Sequence, residues 1–183
     1  MTIINDLNSK NLCFSTANFS VRLLAAADQA LYQSLFCNQQ VMQWIGEPLT
    51  EVQVNASFAA ALKHNNSAVT ELAHSSRLFL VIEDPPSDVK QGLMAVTFNA
   101  INASPWSGCF DAEIGIMLLP FAQRLGLANA AFAGLCQKLQ RVAIVNDIVC
   151  NIATNNLAVK KLVTALGFVY CKQGNCYKLQ NNN

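Results

Sequence analysis

The spacing of apolar and polar residues predicts strands and helices in a definite order along the chain. Apolar blocks at 19–25, 77–83 and 91–100 are typical of strands. The segment between the second and third blocks, 84–88, contains two adjacent prolines, which cannot continue a strand ladder. These two strands are therefore predicted to form an antiparallel hairpin.

The residues between the first two predicted strands show helical periodicity. We predict helices over 26–37, 38–46 and 48–64. The last of these opens with Thr50 and carries Gln53 three residues later, a capping-box pattern that marks a helix start. Three consecutive helices therefore precede the hairpin.

The second half of the chain alternates between strand and helix. The pattern predicts a long strand over 109–120, a helix over 124–141, a strand over 146–153, a helix over 155–166 and a final hairpin that turns at Gly174 and Asn175. The fold class is mixed α/β. We expect one domain over 18–180, with an N-terminal extension over 1–17 and a disordered tail over 181–183.

Composition and charge narrow the function classes. The 183 residues are 52% hydrophobic and 13% charged, and their net charge is +1. This near neutrality argues against nucleic acid or an anionic membrane as partner. The sequence has neither a run of about 18 apolar residues nor a secretory-signal pattern, so we expect a cytoplasmic protein. The seven cysteines form no CxxC pair and lie mostly far from His64 and His74, so no metal site is expected.

The stretch FAQRLGLANAA, residues 121–131, is the strongest candidate for a binding site. It turns from a strand into a helix, where the first backbone N–H groups lack intrahelical partners and favour an anion such as pyrophosphate. Gly126 lets the backbone approach closely, and Gln123 and Arg124 offer further donors. The alternative is that Gly126 marks only a tight turn and the alanines pack the helix on a sheet.

Two motifs resemble those of the GNAT superfamily of N-acyltransferases. Gln123-x-x-Gly126-x-Ala128, after an apolar strand, resembles the family's acyl-coenzyme A loop Q/R-x-x-G-x-G/A. Asn156 at a helix start, followed by Leu-Gly-Phe at 166–168, resembles its second signature. Residues 19–58 are similar to the branch containing ribosomal-protein N-terminal (alanine/serine) acetyltransferases. The resemblance covers residues 18–179.

The resemblance implies a fold, a co-substrate and an acceptor. The implied fold is a single domain with a mixed, mostly antiparallel central sheet, flanked by helices and splayed at the cofactor site. The implied co-substrate is acetyl-CoA, and the acceptor is a primary amine of a peptide N-terminus or a small molecule. The protein is expected as a monomer or a homodimer. The residues expected to bind acetyl-CoA are Met117, Leu118, Leu119, Gln123, Arg124, Leu125, Gly126, Leu127, Ala128 and Asn156.

Direct attack of an amine on a thioester requires a base, for which Glu113 is the first candidate. It lies midway along the strand that precedes the loop and is expected to act through water. Its alternative role is a hydrogen bond to a neighbouring element. Asp111 and Trp106 are candidates for the acceptor site, and Glu83 is a less favoured base. Trp44 and Met42 are expected on a short helix at the edge of the acceptor cleft, where core packing is favoured over the alternative of substrate contact.

Two departures from the family pattern leave a second function open. Val159 replaces a serine usual three residues after the helix-start asparagine, and Val163 stands where a tyrosine acid is often found. One hypothesis is an N-acetyltransferase that works by direct attack in a ternary complex. The other is an acyl-CoA-binding module of the same fold with little or no turnover.

Overall fold

The predicted strands lie side by side in one sheet of the computed structural model, which describes residues 9–70, 77–101 and 108–180. The elements in chain order are β1 (Phe14–Ser15), β2 (Ser20–Leu23), α1 (Gln29–Phe36), α2 (Gln39–Met42), α3 (Glu51–Thr70), β3 (Arg77–Asp84), β4 (Val89–Ala100), β5 (Phe110–Leu118), α4 (Leu127–Leu139), β6 (Val145–Cys150), α5 (Leu157–Ala165), β7 (Val169–Cys171) and β8 (Cys176–Gln180). Short 3-10 turns lie at Ser9–Leu12, Ala26–Asp28 and Pro120–Ala122.

The strand order confirms the predicted fold class. In the described part of the chain, the sheet has eight strands in the order β1-β2-β3-β4-β5-β6-β8-β7. Neighbouring strands run antiparallel, except for the parallel pair β5 and β6. The connection between these two strands contains α4, as a parallel crossover requires. The protein is thus a single α/β domain with a mixed, mostly antiparallel sheet.

Helices cover both faces of this sheet because its central strands are apolar on both sides. Alternate residues of a strand point to opposite faces. On one face, Leu78 and Leu80 of β3 belong to a core cluster with Phe132 of α4. On the other face, Phe79 of β3 belongs to a second cluster with Tyr32 of α1. We call these the α4 face and the α1 face.

Several element ends differ from the sequence predictions. The helix predicted from residue 124 begins at Leu127, because residues 123–126 form a loop with two positive φ angles. The strand predicted to reach residue 120 ends at Leu118, since Pro120 begins a 3-10 turn.

The N-terminal segment expected to precede the domain contributes to its core. Leu12 is fully buried, and β1, which the sequence did not reveal, pairs with β2. The tail at 181–183 lies outside the described residues.

A buried ion network ties β2, β3 and β4 to the turn before α1. Asp28 has no exposed surface and accepts hydrogen bonds from the Arg22 guanidinium at 2.7 and 2.9 Å. Although burial alone would raise the pKa of Asp28, the bonds from Arg22, Lys90 and the Ala25 backbone lower it to about 2. Arg22 also holds Glu83 at 2.7 Å. The less favoured base candidate is therefore half of a structural ion pair.

No helix in the described ranges is both long and apolar enough to span a bilayer. Within the same ranges, no group of three or more His, Cys, Asp or Glu side chains is placed to hold a metal ion.

Candidate functional site

The parallel strands β5 and β6 pair over only part of their length. Their paired residues end at Glu113 and Val149, whereas β5 continues to pair with β4 as far as Leu118. Residues 114–118 thus have a strand neighbour on one side only. This splay leaves one edge of the β5 backbone open to a ligand.

A cavity of about 810 Å³ occupies the space opened by the splay. Residues 114–118 of β5 form one wall, and Cys150 with residues 151–153 after β6 forms the opposite wall. The beginnings of α4 and α5 close one end. The sequence-predicted binding residues that line it are Met117, Leu118, Gln123, Arg124, Gly126, Ala128 and Asn156.

Other predicted site residues do not line this cavity. They are Leu119, Leu125, Leu127, Asp111 and Glu113. The Leu119 N–H donates to the Gln91 carbonyl at 2.9 Å, so the neighbouring strand already uses this donor. Leu125 is 72% exposed on the outside of its loop. Trp106 lies outside the described residues.

The start of α4 presents unpaired backbone donors. Gly126 precedes the helix with φ +77°, and the first internal bond runs from Ala130 N–H to the Gly126 carbonyl at 3.1 Å. The N–H groups of residues 127–129 therefore have no acceptor inside the helix. A Cβ at Gly126 would meet nothing within 4 Å, because its missing side chain faces open space. This end of the helix suits an anion.

The loop before α4 holds an unusual backbone shape. Arg124 has φ +64°, in the left-handed region that side chains other than glycine rarely adopt. Gln123 fixes the loop to the end of β5, since its side-chain amide donates to the Leu118 carbonyl at 3.0 Å. Strain of this kind persists only where the surroundings enforce it. The Arg124 side chain is exposed at the rim of the cavity.

Asn156 caps α5 at the opposite end of the site. Its Oδ1 accepts a hydrogen bond from the Val159 N–H at 3.2 Å, so a capping role is visible in the structure. Val159 is half-buried and lines the cavity. Val163, by contrast, is fully buried in the core on the α4 face. Position 163 does not line the cavity.

Glu113 stands at the apex of the splay. Its Cα partners are Thr97 on β4 and Val149 on β6, and this is the last pair that joins β5 to β6. Gly115, two residues further along the same face, lines the cavity. The Glu113 carboxylate forms no hydrogen bond or ion pair with the described residues and is half-buried. It is therefore placed at the edge of the cavity on the α1 face.

Asp111 is held by its neighbours instead. Its carboxylate accepts from the Asn146 side chain at 3.0 Å and from the Asp147 N–H at 3.2 Å. Lys178 lies 3.7 Å from it and 3.0 Å from Asp147. These contacts link β5, β6 and β8 below the splay.

Cys150 lines the cavity but is a poor nucleophile. Burial, and to a lesser extent the nearby Glu113, raise the pKa of its thiol to about 12. The thiolate is the reactive form, and at neutral pH almost none is present.

The cavity extends over the α1 face to two residues that the sequence did not single out and to Trp44, which it did. Arg77, the first residue of β3, and Phe79 both line it. For Trp44, core packing was favoured over substrate contact, but it lies just after the end of α2 at Met42, is 43% exposed and lines the cavity. Met42 is buried, as expected.

Comparisons with known proteins agree with this geometry. Residues 19–169 match the family model described as the acetyltransferase (GNAT) domain. A search of curated proteins finds no significant sequence match.

Solved structures with similar folds include three acetyltransferases. The spermidine N-acetyltransferase from Vibrio cholerae, in complex with CoA and spermine, is 19% identical, with a TM-score of 0.65 over 85% of this chain and 83% of that chain. A ribosomal L7/L12 α-N-protein acetyltransferase in complex with coenzyme A is 14% identical, with a TM-score of 0.69 over 92% of this chain and 97% of that chain. A ribosomal-protein-S5-alanine acetyltransferase from Vibrio fischeri is 16% identical, with a TM-score of 0.66 over 93% of this chain and 97% of that chain.

Proposed function

Because the chain belongs to the GNAT acetyltransferase family, we propose that it transfers an acetyl group from acetyl-CoA to a primary amine by direct attack in a ternary complex. The amine belongs to a protein N-terminus or to a small molecule. The observation that carries the proposal is the splay between β5 and β6, which ends at Glu113 and opens beside the bare N-terminus of α4.

The residues present fit acetyl-CoA. The N–H groups of residues 127–129 and the positive end of the α4 dipole suit a pyrophosphate, and Arg124 adds charge at the rim. The open edge of β5 at 114–118 offers backbone groups to the amides of the pantetheine arm. Because the Asn156 Oδ1 already caps α5, it is the side-chain NH₂ group of this residue that would bind the cofactor.

The proposed chemistry forms a C–N bond and breaks a C–S bond. The amine nitrogen attacks the thioester carbonyl carbon, the CoA thiolate leaves and takes up a proton, and the amine loses one. Glu113, with no partner among the described residues and at the cavity edge, receives the amine proton through water. An acyl-cysteine route is disfavoured, because the pKa of the Cys150 thiol lies near 12.

The similar structures support an amine as acceptor but do not identify which amine it is. One of them is named for spermidine and two for ribosomal proteins. Identities of 14–19% with these proteins carry the fold but not the substrate.

The second candidate, an acyl-CoA-binding module with little turnover, rests on the apolar start of α5. Val159 lines the cavity where the family pattern has a serine, so this position offers no hydroxyl near the thiol end. The lack of a tyrosine at 163 weighs less, because that position is buried in the core.

One experiment separates the two candidates. Thiol release from acetyl-CoA is measured over a panel of peptides with free N-termini and of small amines, while calorimetry measures CoA binding. Acceptor-dependent release supports the transferase. Tight CoA binding without release for any acceptor supports the module, and absence of CoA binding would contradict both.

A further inference from the structure

The part of the cavity that lies over the α1 face is apolar. The buried side chains of Phe79 and Leu93 form its floor, and they are 7% and 2% exposed. Trp44 and Ile45 form its outer wall and are 43% and 55% exposed, although both are large and apolar. Burying exposed apolar side chains of this kind under an apolar part of a ligand is favourable. This surface suits an apolar group on the ligand.

The charged side chains that line the cavity are of one sign, and the Glu113 carboxylate lies at its edge. Of the residues that line it, all within the described ranges, two are charged, and both are arginines. Arg124 lies in the loop before α4, and Arg77 lies on the α1 face next to the apolar wall. No aspartate or glutamate is among these lining residues. Next to the apolar wall, a second ammonium group of a polyamine would therefore meet the Arg77 cation.

Strand register relates Arg77 to the proposed base. Arg77 is the Cα partner of Thr97, and Thr97 is the Cα partner of Glu113. The three residues form a row on the α1 face. Since neighbouring strands lie about 4.8 Å apart, Arg77 and Glu113 are about 10 Å apart at their Cα atoms. Arg77 Nε donates to Thr97 Oγ1 at 3.0 Å, which holds the guanidinium over β4, towards Glu113.

The following inference rests on the proposed function. We propose that the acceptor is an amine that carries both an apolar group and a carboxylate, and that Arg77 selects the carboxylate. The amine lies towards Glu113, the carboxylate towards Arg77, and the apolar group against Phe79, Trp44 and Ile45. An apolar amino acid has this chemistry, as does a peptide N-terminus whose apolar first residue is followed by an acidic one. The transfer itself is unchanged: a C–N bond forms, the C–S bond breaks, and the amine proton goes to Glu113.

The panel that tests this selectivity varies one group at a time. It contains leucine, leucinamide, the amidated dipeptides Leu-Asp and Leu-Lys, and spermidine. We expect kcat/KM to be about 10- to 100-fold higher for leucine than for leucinamide, and for Leu-Asp than for Leu-Lys. A charge-assisted hydrogen bond to arginine gives a difference of this size. A preference confined to leucine identifies a free amino acid, and one confined to Leu-Asp identifies a peptide.

The matched variants are Arg77→Gln and Arg141→Gln. Arg77 and Arg141 are both exposed, but Arg141 follows α4 and does not line the cavity. Arg77→Gln should bring the ratio of kcat/KM between carboxylate and amide acceptors close to one, whereas Arg141→Gln should leave the ratio unchanged. If the two variants show the same ratio, or if spermidine is the best acceptor, the assignment of Arg77 is overturned. The proposed acetyltransferase activity would still stand.

A binding measurement covers the case in which no acceptor supports turnover. Calorimetry of leucine and Leu-Asp amide on the CoA-loaded protein should show a binding constant that falls about 10-fold or more in Arg77→Gln. If no thiol is released but Arg77-dependent binding is observed, the transferase activity is refuted and the proposed class of ligand is supported. Absence of such binding together with absence of release would refute the ligand class as well.

Discussion

Gly126→Asp isolates the role of the α4 N-terminus. The glycine has φ +77°, and the new side chain would enter open space rather than a packed wall. Aspartate is among the residues that tolerate this φ best, so we expect a loss of about 1 kcal/mol in the free energy of unfolding and a folded protein. Its carboxylate would stand where a pyrophosphate meets the N–H groups of residues 127–129. Two unit charges 4 Å apart repel by about 1 kcal/mol in water and about 4 kcal/mol at an effective dielectric constant of 20. CoA affinity should therefore fall between about 5-fold and several hundred-fold.

Two controls separate charge from backbone strain. Gly167 has φ +90°, its Cβ would make only an ordinary contact at 3.6 Å with Leu179, and it does not line the cavity. Gly167→Asp should cost similar stability and leave CoA affinity unchanged. Gly126→Asn keeps the size without the charge and should lose less affinity than Gly126→Asp. Calorimetry and thermal unfolding give both quantities. Unchanged CoA affinity in folded Gly126→Asp would refute the phosphate-binding role of this loop.

Three further substitutions test other parts of the site and the fold. Glu113→Gln should lower kcat by about 10²- to 10⁴-fold, abolish the acidic limb of the pH–rate profile and leave CoA affinity unchanged; a persistent limb with kcat within a few-fold would make Glu113 structural. Asn156→Asp should still cap Val159 N–H and keep the unfolding temperature while it slows turnover, because it brings a negative charge near the thioester; equal turnover would leave Asn156 as a cap only. Asp28→Asn should lower the free energy of unfolding at pH 7 by about 2 kcal/mol, since the pKa of Asp28 falls from 3.8 to about 2 on folding beside Arg22. The wild type should lose this advantage as pH falls from about 4 to 2, and a constant difference over that range would contradict the assignment.

The order of strands and helices could be predicted because helices bury one face, whereas central strands are buried on both and are therefore continuously apolar. β3 and β4 carry continuous apolar runs, and the prolines between them mark their turn. The two-residue β1 escaped notice, because a strand that short has no period to detect.

The candidate site could be predicted only in part, since much of it depends on register rather than local pattern. Gly126 and Asn156 stand at helix starts that sequence spacing reveals. Arg77, however, shares a row with Thr97 and Glu113 only through the pairing of three strands, which no local motif encodes. The exposure of Trp44 depends likewise on where the short α2 ends.

Hydrogen exchange with and without CoA tests the central claim most directly, namely that the cofactor occupies the splay between β5 and β6 and the N-terminus of α4. The unpaired edge of 114–118 and the donors at 127–129 would gain hydrogen-bond acceptors on binding. We predict slower amide exchange in peptides that cover 114–119 and 123–130, with little change in β2 or β3. CoA binding that protects other segments and leaves these two unchanged would contradict the account.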